Sequence, residues 1–371
     1  MILRWVCRKC EKKWIYPVDE CIYCHGRIDK EVARKFKVVG TTKVFLPCDS
    51  HPIIPYNILI LEDGHKNRVI KKVMKDYQIG DDFEMKPIAK ESAVSIVKIK
   101  YDLFEAIKEA LYLIGDIEVS SKTKILIKPD IMAAAAPHLA VTTNPKTLGG
   151  LIDCLIEKGA SKDNIKIAEQ VQYGDVEKAL EKSEIGQICK DKGIAFVDLS
   201  KTKFIPKTSG NFNFEVSEEI YKHDLIINVP VLKTHLVLGM SGALENMTRL
   251  VSERNFKELQ QQDVAAAIAH LHKVLPKYIT VGDGLIGMQG NGPLNYGTPA
   301  FFNFILASRD PVAHDKVFQE IGLLPKSAHV ETAAKLGIGT ADLREIPIAG
   351  EELAAVQREI KKPTGSRLMK V

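Results

Sequence analysis

The sequence predicts a multi-domain protein in which a small metal-bound segment and a small β-barrel precede an α/β domain with a mostly parallel sheet. Three observations support this fold class. Two C-x-x-C pairs stand close together near the start of the chain. Short apolar stretches separated by turn residues follow them. From residue 92 onward, strands alternate with segments of helical spacing, which is the pattern of a parallel α/β sheet.

Composition and charge restrict the expected partners and location. The 371 residues are 45% hydrophobic and 27% charged, which is ordinary for globular domains, and the length suggests two to three of them. The net charge of +5 is small and spread along the chain, so we expect no nucleic-acid partner. No apolar run reaches the ~18 residues of a membrane helix. Without a signal peptide or a disulfide framework, a reducing cytoplasm is the expected location.

The first segment, residues 1–35, carries the pattern of a zinc ribbon. Cys7 and Cys10 form one pair, and Cys21 and Cys24 form the second pair ten residues later. Each pair can aim two thiolates at one tetrahedral centre. We expect Zn²⁺, with iron as the alternative, because both ions accept four thiolates. So small a segment cannot bury a sufficient core, so the metal is expected to be a structural staple.

Residues 36–90 read as a small antiparallel barrel of the OB type. The turn Glu62-Asp63-Gly64-His65 and the corner Gln78-Ile79-Gly80-Asp81 separate apolar stretches. Five short strands with such turns are typical of a barrel. The predicted strands are 37–40, 42–46, 56–62, 68–70 and 83–86.

The α/β domain is predicted over residues 92–348, with a C-terminal helix and basic tail over residues 349–371. Its centre is the stretch 225–250, where a strand at 225–227 is expected to give way to a loop that carries Lys233 and His235. Ligands bind outside the carboxyl ends of strands in such sheets. Polar residues follow several other predicted strands, so we expect them to converge at one edge.

This convergence gives the candidate site. Lysines and a histidine at strand ends favour an anion, and a histidine can move protons near neutral pH. The predicted catalytic residues are Lys233, His235, Glu169 and Asp283. The predicted substrate-binding residues are Lys128, Thr142, Thr143, Asn228, Ser241, Asn246, Asn291 and Asp310.

Three alternatives remain open for these polar groups. Glu245 could serve as the general base together with Glu169 and Asp283. Asp130, Glu169 and Asp283 could instead bind a divalent cation with His138. The acids and lysines could also pair with one another as a purely structural network.

The first 88 residues resemble a zinc-ribbon/OB-fold family that accompanies thiolases and other condensing enzymes. The resemblance rests on the two cysteine pairs, the ribbon-then-barrel order and the corner Ile79-Gly80-Asp81. It implies a thiolase or condensing-enzyme-like partner and a CoA thioester as ligand. The basic residues Lys66, Arg68, Lys71 and Lys72 are the expected contacts for CoA.

Residues 92–348 resemble a large prokaryotic family of unknown function that is often linked to ferredoxin modules. The ordered motifs K-P-D, T-T-N-P, P-V-L-K-T-H, G-N-G-P and D-P-V-A-H-D carry this resemblance. A weaker likeness joins the domain to the nickel-pincer lactate racemase group. The chain departs from the family pattern at Asp130, where asparagine is common, and at Glu245, where lysine is common. It also lacks an eight-cysteine ferredoxin segment.

The sequence thus leaves three functions in competition. The first is an acyl-CoA-associated protein whose α/β domain binds or transforms acyl-CoA or another anionic small molecule. The second is a non-catalytic scaffold of a multi-enzyme complex. The third is a small redox protein with iron at the four cysteines.

Overall fold

The computed structural model describes residues 2–48, 51–294 and 296–364. The strands are β1 Leu3–Cys7, β2 Lys13–Trp14, β3 Ile28–Val32, β4 Lys35–Val44, β5 Tyr56–Glu62, β6 Arg68–Val73, β7 Asp82–Glu84, β8 Val94–Lys98, β9 Ile125–Pro129, β10 Ile165–Glu169, β11 Ala195–Asp198, β12 Phe204–Ser209, β13 Phe212–Ser217, β14 Leu225–Val229, β15 Val231–His235, β16 Gly239–Ser241, β17 Ile279–Gly290, β18 Gly297–Ala300, β19 Phe304–Ser308 and β20 Ile348–Gly350. The helices are α1 Leu103–Leu113, α2 Pro145–Glu157, α3 Val176–Lys182, α4 Ile185–Lys192, α5 Ala243–Asn246, α6 Glu253–Gln260, α7 Val264–Leu271, α8 Pro311–Ile321, α9 Ala328–Lys335 and α10 Leu353–Val356.

The N-terminal segment is a three-stranded antiparallel sheet in the order β2-β1-β3. Alternate residues of β1 are buried, and Trp5 pairs with Trp14 across the sheet. Both tryptophans belong to the same apolar core as the inner faces of α1 and α2. The segment therefore packs on the α/β domain rather than standing apart from it.

The next segment is a curled antiparallel sheet in the order β6-β5-β4-β7. It has four strands among the described residues, whereas the sequence suggested five. The two stretches expected at 37–40 and 42–46 form the single strand β4, because the chain does not turn between them. The pairing of β4 with β5 only shifts its register between Val38 and Gly40. Closure into an OB-type barrel remains a prediction.

The large sheet is mixed but mostly parallel, in the order β11-β10-β9-β14-β17-β19-β8-β20. The strands β11, β10, β9, β14 and β17 run parallel to one another. Strand β19 is antiparallel to both of its neighbours, β17 and β8. The coarse fold class read from the sequence, a multi-domain chain with a mostly parallel α/β sheet, is confirmed.

Helices cover both faces of this sheet. Alternate residues of the central strands, such as Ile125 and Ile127, pack with α1, α2 and α4 in one core. Leu126 and Ile226 face the other way and pack with the segment 247–271. Helices α8 and α9 cover the antiparallel part on that second side. Burial on both faces explains why these strands read as continuous apolar runs.

The antiparallel direction of β19 corrects one site prediction. Asp310 was expected to follow a strand end at the ligand-binding edge. Because Ser308 at the end of β19 lies opposite Thr280 near the start of β17, Asp310 lies at the other edge of the sheet. Its carboxylate caps α8 by accepting hydrogen bonds from the backbone N–H groups of Val312 and Ala313.

The central stretch also differs from its prediction. Lys233 and His235 do not lie on a loop but on β15, which resumes one residue after β14. Pro230 ends the first strand because it has no N–H for the ladder. The chain then continues extended, pairing parallel with β17 and antiparallel with β16.

The curled sheet and the α/β domain are joined by ion pairs. Arg34 donates to Glu109 on α1 at 2.6 Å, and Lys71 donates to Glu351 at 2.9 Å. The predicted domain bounds of 1–35, 36–90, 92–348 and 349–371 remain predictions. The expected basic tail with Arg367 and Lys370 lies outside the described residues. In the part of the chain that the structure describes, no helix is long and apolar enough to cross a membrane.

Candidate active site and metal centre

A buried ion pair lies at the carboxyl end of the parallel strands. Lys128 near the end of β9 donates to Glu169 at the end of β10, with 2.8 Å between Nζ and Oε2. Both side chains are almost wholly removed from solvent. Burial raises the pKa of Glu169 to about 7, against the opposing charge of Lys128. Neither side chain is part of the wall of the two cavities described below.

Two asparagines extend this pair into a network. The Asn246 side chain accepts from Lys128 at 3.3 Å and donates to Asn228 Oδ1 at 2.7 Å. Asn228 in turn donates to the carbonyl of Ala243 at 2.9 Å. The network therefore ties α5 to β9 and β14, and these two asparagines hold the scaffold of the site.

A second buried ion pair joins β15 to the end of β9. Lys233 Nζ lies 2.6 Å from Asp130 Oδ2, and Lys233 is fully buried. The backbone N–H of Asp130 donates to Thr143 Oγ1, which donates to the carbonyl of Val229. Lys128 and Lys233 thus lie at the same edge of the sheet, as the sequence suggested, but each lysine is matched by its own carboxylate.

Asp283 lies within β17 and anchors the start of α2. Its carboxylate accepts from the backbone N–H groups of Asn144 and Leu285 and from the Thr147 hydroxyl. Burial raises the pKa of Asp283 to about 6, although these three donors favour the charged form. Asn144 is the N-cap of α2, which begins at Pro145. Asp283 therefore has a positioning role in this structure.

His235 ends β15 with a defined ring orientation. Its Nδ1 atom lies 3.1 Å from the backbone nitrogens of both Val237 and Leu238. Since backbone N–H groups only donate, Nδ1 is the acceptor and the ring proton belongs on Nε2. Burial lowers the pKa of His235; the Glu245 carboxylate opposes this effect and the Lys233 ammonium adds to it. The imidazole is neutral at pH 7.

Glu245 is the acidic partner of His235. Ser241 Oγ donates to Glu245 Oε2 at 2.6 Å. Burial alone would raise the pKa of Glu245, but the charge that His235 carries when it is protonated, the charge of Lys233 and the Ser241 hydrogen bond hold it below its ordinary value. Glu245 is therefore an ionised carboxylate at neutral pH.

The position of Glu245 is fixed by Asp315 on α8. The Asp315 carboxylate accepts from the backbone N–H groups of Ala243 and Leu244 at 2.6 and 3.0 Å. A Cβ on Gly242 would lie 2.2 Å from Asp315 Oδ1, so this approach requires glycine. The first turn of α5, which carries Glu245, is held against α8 as a result.

His235 and Glu245 both line a cavity of about 250 Å³, which we call the cleft. Apolar side chains form most of its wall, with Asn291 and Thr248 among the polar ones. Two exposed tyrosines, Tyr173 and Tyr296, stand at its surface. A mostly apolar wall with few polar groups is typical of small-ligand sites.

The remaining predicted site residues divide between wall and scaffold. Asn291 lines the cleft and accepts from the backbone N–H and hydroxyl of Thr364. Ser241 reaches the cleft through Glu245. Thr142 is buried and its hydroxyl has no hydrogen-bond partner among the described residues.

The sequence predicted two of the cleft residues, His235 and Asn291, ranked Glu245 below the catalytic set and did not identify the others. The local signal for Glu245 was weak, because its neighbours His235 and Ser241 come from different strands. Tyr173 had a usable signal, since it lies in the polar segment after β10. The loop residues Leu236 and Val237 offered none.

The four N-terminal cysteines form the candidate metal centre. Cys7 Sγ and Cys24 Sγ are 3.5 Å apart, as are Cys10 Sγ and Cys21 Sγ, and all four sulfurs lie within 4.8 Å of one another. A Cβ on residue 26 would lie 2.9 Å from Cys7 Sγ, so Gly26 closes the turn.

Four convergent thiols fit one tetrahedral metal ion. Among the described residues, this is the one group of potential ligands close enough to share an ion. The alternative cation set of Asp130, Glu169, Asp283 and His138 is not brought together in the described part of the chain.

The fold and the site together define a multi-domain α/β protein with a four-cysteine cluster and a buried polar network beside a cleft that His235 and Glu245 line. Residues 125–320, more than half of the chain, match the family described as "Domain of unknown function (DUF362)". The chain belongs to this family. The expectation that the second domain belongs to a family of unknown function is confirmed.

One curated relative is the Thylakoid-associated protein sll1697 of Synechocystis sp., 21% identical over 250 residues, which are 63% of this chain and 77% of the relative. The lactate racemase apoprotein from Thermoanaerobacterium thermosaccharolyticum is 15% identical, with a TM-score of 0.38 over 66% of this chain and 60% of that chain. A Thermotoga maritima protein is 13% identical, with a TM-score of 0.34 over 63% and 58%. A solved "Ltp2-ChsH2(DUF35) aldolase" is 16% identical, with a TM-score of 0.21 over 23% and 72%. TM-scores this low support no inference about the function of this chain.

Proposed function

We propose that the α/β domain is an acid–base enzyme that removes a proton from the carbon next to a carbonyl group. The observation that carries the proposal is that one cleft is lined by both an ionised carboxylate, Glu245, and a neutral imidazole, His235. Glu245 is ionised, so it can accept a proton. His235 is neutral with its proton on Nε2, so it can donate a hydrogen bond without first losing a charge.

The reaction balances with these two groups alone. The Glu245 carboxylate takes the proton from the carbon, and the electron pair of the broken C–H bond forms the double bond of an enolate. Negative charge develops on the carbonyl oxygen, where the Nε2–H of His235 stabilises it. A neutral histidine beside a carboxylate base is a known solution for this chemistry in other proteins. Return of a proton to the carbon completes an exchange or an isomerisation.

The substrate we propose is an acyl thioester of CoA, with other small carbonyl acids as the alternative class. A thioester carbonyl acidifies the neighbouring C–H bond, which suits the Glu245–His235 pair. The resemblance of the first 88 residues to companions of condensing enzymes supports the same class. Arg68 and Lys71 pair with Glu62 and Glu351, so they are poor contacts for CoA.

The N-terminal segments would dock a thiolase or condensing-enzyme-like protein, with zinc at the four cysteines as a staple. Support comes from a set of large apolar side chains that are exposed on both segments. These are Tyr16, Ile22, Tyr23, Phe45, Leu46, Ile70 and Ile79. The same surface favours a second candidate function, a scaffold subunit without catalysis. Iron at the cysteines with a visible thiolate band would instead favour a redox role.

Solvent deuterium incorporation tests the enzymatic proposal. The full-length protein is incubated in D₂O with a panel of acyl-CoA thioesters and small 2-oxo and 2-hydroxy acids, and label next to the carbonyl is measured by mass spectrometry. Glu245→Gln should reduce incorporation by roughly the 10²–10⁴-fold typical of a lost general base. The matched control is Glu177→Gln, an exposed glutamate on α3.

His235→Gln should give a loss of the same order, and His65→Gln, an exposed histidine in the curled sheet, should not. Wild-type protein that incorporates no label from any thioester or acid would overturn the enzymatic proposal. The scaffold function would then be the surviving candidate, and the exposed apolar surface its basis.

A further inference from the structure

A groove of about 1180 Å³ lies beside the cleft at the surface of the α/β domain. It lies between the turn that follows β15, the start of α7 and the loop that joins α8 to α9. The cleft and this groove share four wall residues: Val237, Leu238, Gln260 and Val264. The two cavities are therefore direct neighbours that meet at these four residues.

The combined size of the two cavities exceeds what a small acid needs. Pockets for drug-sized ligands span ~300–1,000 Å³. The cleft alone, at about 250 Å³, holds a small reacting group. The groove adds several times that volume beside it, which suits a long substrate and exceeds the needs of a compact one.

The wall of the groove contains a strained and exposed leucine. Helix α8 ends at Ile321, and Leu323 follows with a left-handed backbone at φ +49°. Leu324 N–H bonds to the carbonyl of Gln319 and Leu323 N–H to that of Glu320, which is the helix-ending motif that favours glycine at this position. The left-handed conformation is unfavourable for a leucine, because it brings the Cβ atom close to the following carbonyl oxygen. Nevertheless, Leu323 keeps its side chain partly exposed to solvent in the groove.

Other apolar groups continue the surface around Leu323. Leu324 and Pro325 lie beside it, and Ala265 lies on α7, all of them in the groove wall. On the side toward the cleft, the exposed side chain of Val237 belongs to both cavities. Leu324 is largely buried, so the exposed apolar side chains here are Leu323, Pro325 and Val237. Clustered exposed apolar side chains are typical of a binding site.

The groove wall contains more positive than negative side chains. Lys326 and Lys362 both line it and are exposed, and neither forms an ion pair within the described residues. The acidic residue in the wall, Asp263, is used as the N-cap of α7, where it accepts from the Ala266 N–H at 3.0 Å. Two unmatched ammonium groups thus flank an otherwise apolar channel.

We propose that the groove binds the chain of an amphipathic acyl substrate. The aliphatic body would lie against Leu323 and Val237, and the carbonyl end would enter the cleft. An anionic group at the far end of the acyl chain, such as a second carboxylate, would lie near Lys326 and Lys362; it is distinct from CoA, which a thioester carries at the carbonyl. This proposal rests on the proposed function for the carbonyl end only. A single ligand that spans both cavities accounts for their shared wall, for the apolar lining and for the position of the lysines.

Dodecanoate is the probe, titrated into the full-length protein by calorimetry, with dodecanol for comparison. Wild type should bind dodecanoate, and dodecanol should bind at least several-fold more weakly. Leu323→Gly should weaken dodecanoate binding about tenfold, because the apolar side chain is lost. The same substitution should keep or raise the urea midpoint of unfolding, because glycine relieves the left-handed strain.

Substitution of the lysines tests the anionic end. Lys326→Gln with Lys362→Gln should weaken dodecanoate binding several-fold and reduce its dependence on salt concentration. Lys335→Gln, an exposed lysine further along α9, is the matched control and should change neither. Equal binding of dodecanol and dodecanoate, or no dodecanoate binding at all, overturns the proposal.

Two further results separate this proposal from neighbouring ones. In the wild type, dodecanoate binding without deuterium exchange on any thioester or acid would overturn the proposed reaction and leave the groove intact. Exchange on short acyl thioesters without dodecanoate binding would overturn the groove and leave the reaction intact. A wild-type dimer that Leu323→Gly makes monomeric, with no binding of dodecanoate, would show a self-association surface and would contradict the proposal.

Discussion

The ammonium group of Lys233 and the carboxylate of Asp130 lie 2.6 Å apart, with the lysine fully buried behind the cleft. This pair joins β15 to the end of β9 and places the strand that carries His235. Its neighbours Lys128 and Glu169 form a second pair at 2.8 Å. The lysines of the candidate site therefore support the cleft from behind and do not line it.

Breaking the Lys233–Asp130 pair should destabilise the fold strongly. Asp130→Asn should lower the free energy of unfolding by about 3–5 kcal/mol, because it leaves a buried ammonium without its counter-charge. The double substitution Asp130→Leu with Lys233→Met should cost less than the two single substitutions added together. Urea unfolding of the wild type, the single variants Asp130→Leu and Lys233→Met, and the double variant gives the comparison. Additive effects would mean that the two groups are not coupled in the folded protein.

Removal of the metal should melt the N-terminal sheet and leave the large sheet folded. Cys21→Ser removes one of four convergent thiols, and apparent binding energies of about 10–16 kcal/mol are typical of structural zinc. Hydrogen exchange should show lost protection across β1, β2 and β3, with protection of β9 and β14 retained. Cys189→Ser, at a buried cysteine on α4, is the control and should keep the metal. Unchanged protection in a metal-free Cys21→Ser protein would contradict the staple.

The free energy of unfolding should depend on pH because Asp283 titrates at a different pH in the folded and unfolded protein. Its pKa is raised to about 6 in the folded protein, from an ordinary value of 3.8. The folded state then holds the proton more tightly, so stability is greatest below pH ~4 and falls as the pH rises through about 6. The size of the fall is about 2–3 kcal/mol at 1.36 kcal/mol per unit.

Urea midpoints measured from pH 4 to pH 7 test this for wild type and Asp283→Asn. The difference between the two proteins should change across that window, since the variant cannot titrate. A constant difference from pH 4 to pH 7 would show that the carboxyl is not perturbed.

The close approach of Gly242 to Asp315 should make that glycine intolerant of any side chain. Gly242→Ala places a methyl group 2.2 Å from Asp315 Oδ1, so α5 or α8 must shift. We expect a loss of about 1–3 kcal/mol in unfolding free energy and a displaced Glu245. Gly64→Ala is the control, because a Cβ there meets nothing within 4 Å. Equal stability of the two variants would contradict the packing of α5 against α8.

The parts of the fold that depend on local sequence were predictable. The cysteine pairs could be read from their spacing, because a C-x-x-C turn needs no distant residue to form. Strand β5 was predicted with its observed bounds, Tyr56–Glu62. Both features depend on the pattern of only a few neighbouring residues.

The parts that depend on tertiary pairing were not predictable. The direction of β19 comes from its neighbours in the sheet, so Asp310 was assigned to the wrong edge. Lys233 was correctly placed at the edge with Lys128, but no local pattern says that each would meet a carboxylate. The Glu245–His235 pair comes from α5 and β15, which only the folded sheet brings together.

The proposed proton transfer depends on the protonation state of His235, and nitrogen-15 NMR of the histidine side chains measures that state directly. With His235 assigned through His235→Gln, its ring should be neutral at pH 7 with the proton on Nε2, and it should stay neutral below the ordinary pKa of 6.5. Glu245→Gln should lower the pKa of His235 further, because it removes the opposing negative charge. A charged ring at pH 7, or a neutral ring with its proton on Nδ1, would contradict the proposed proton transfer.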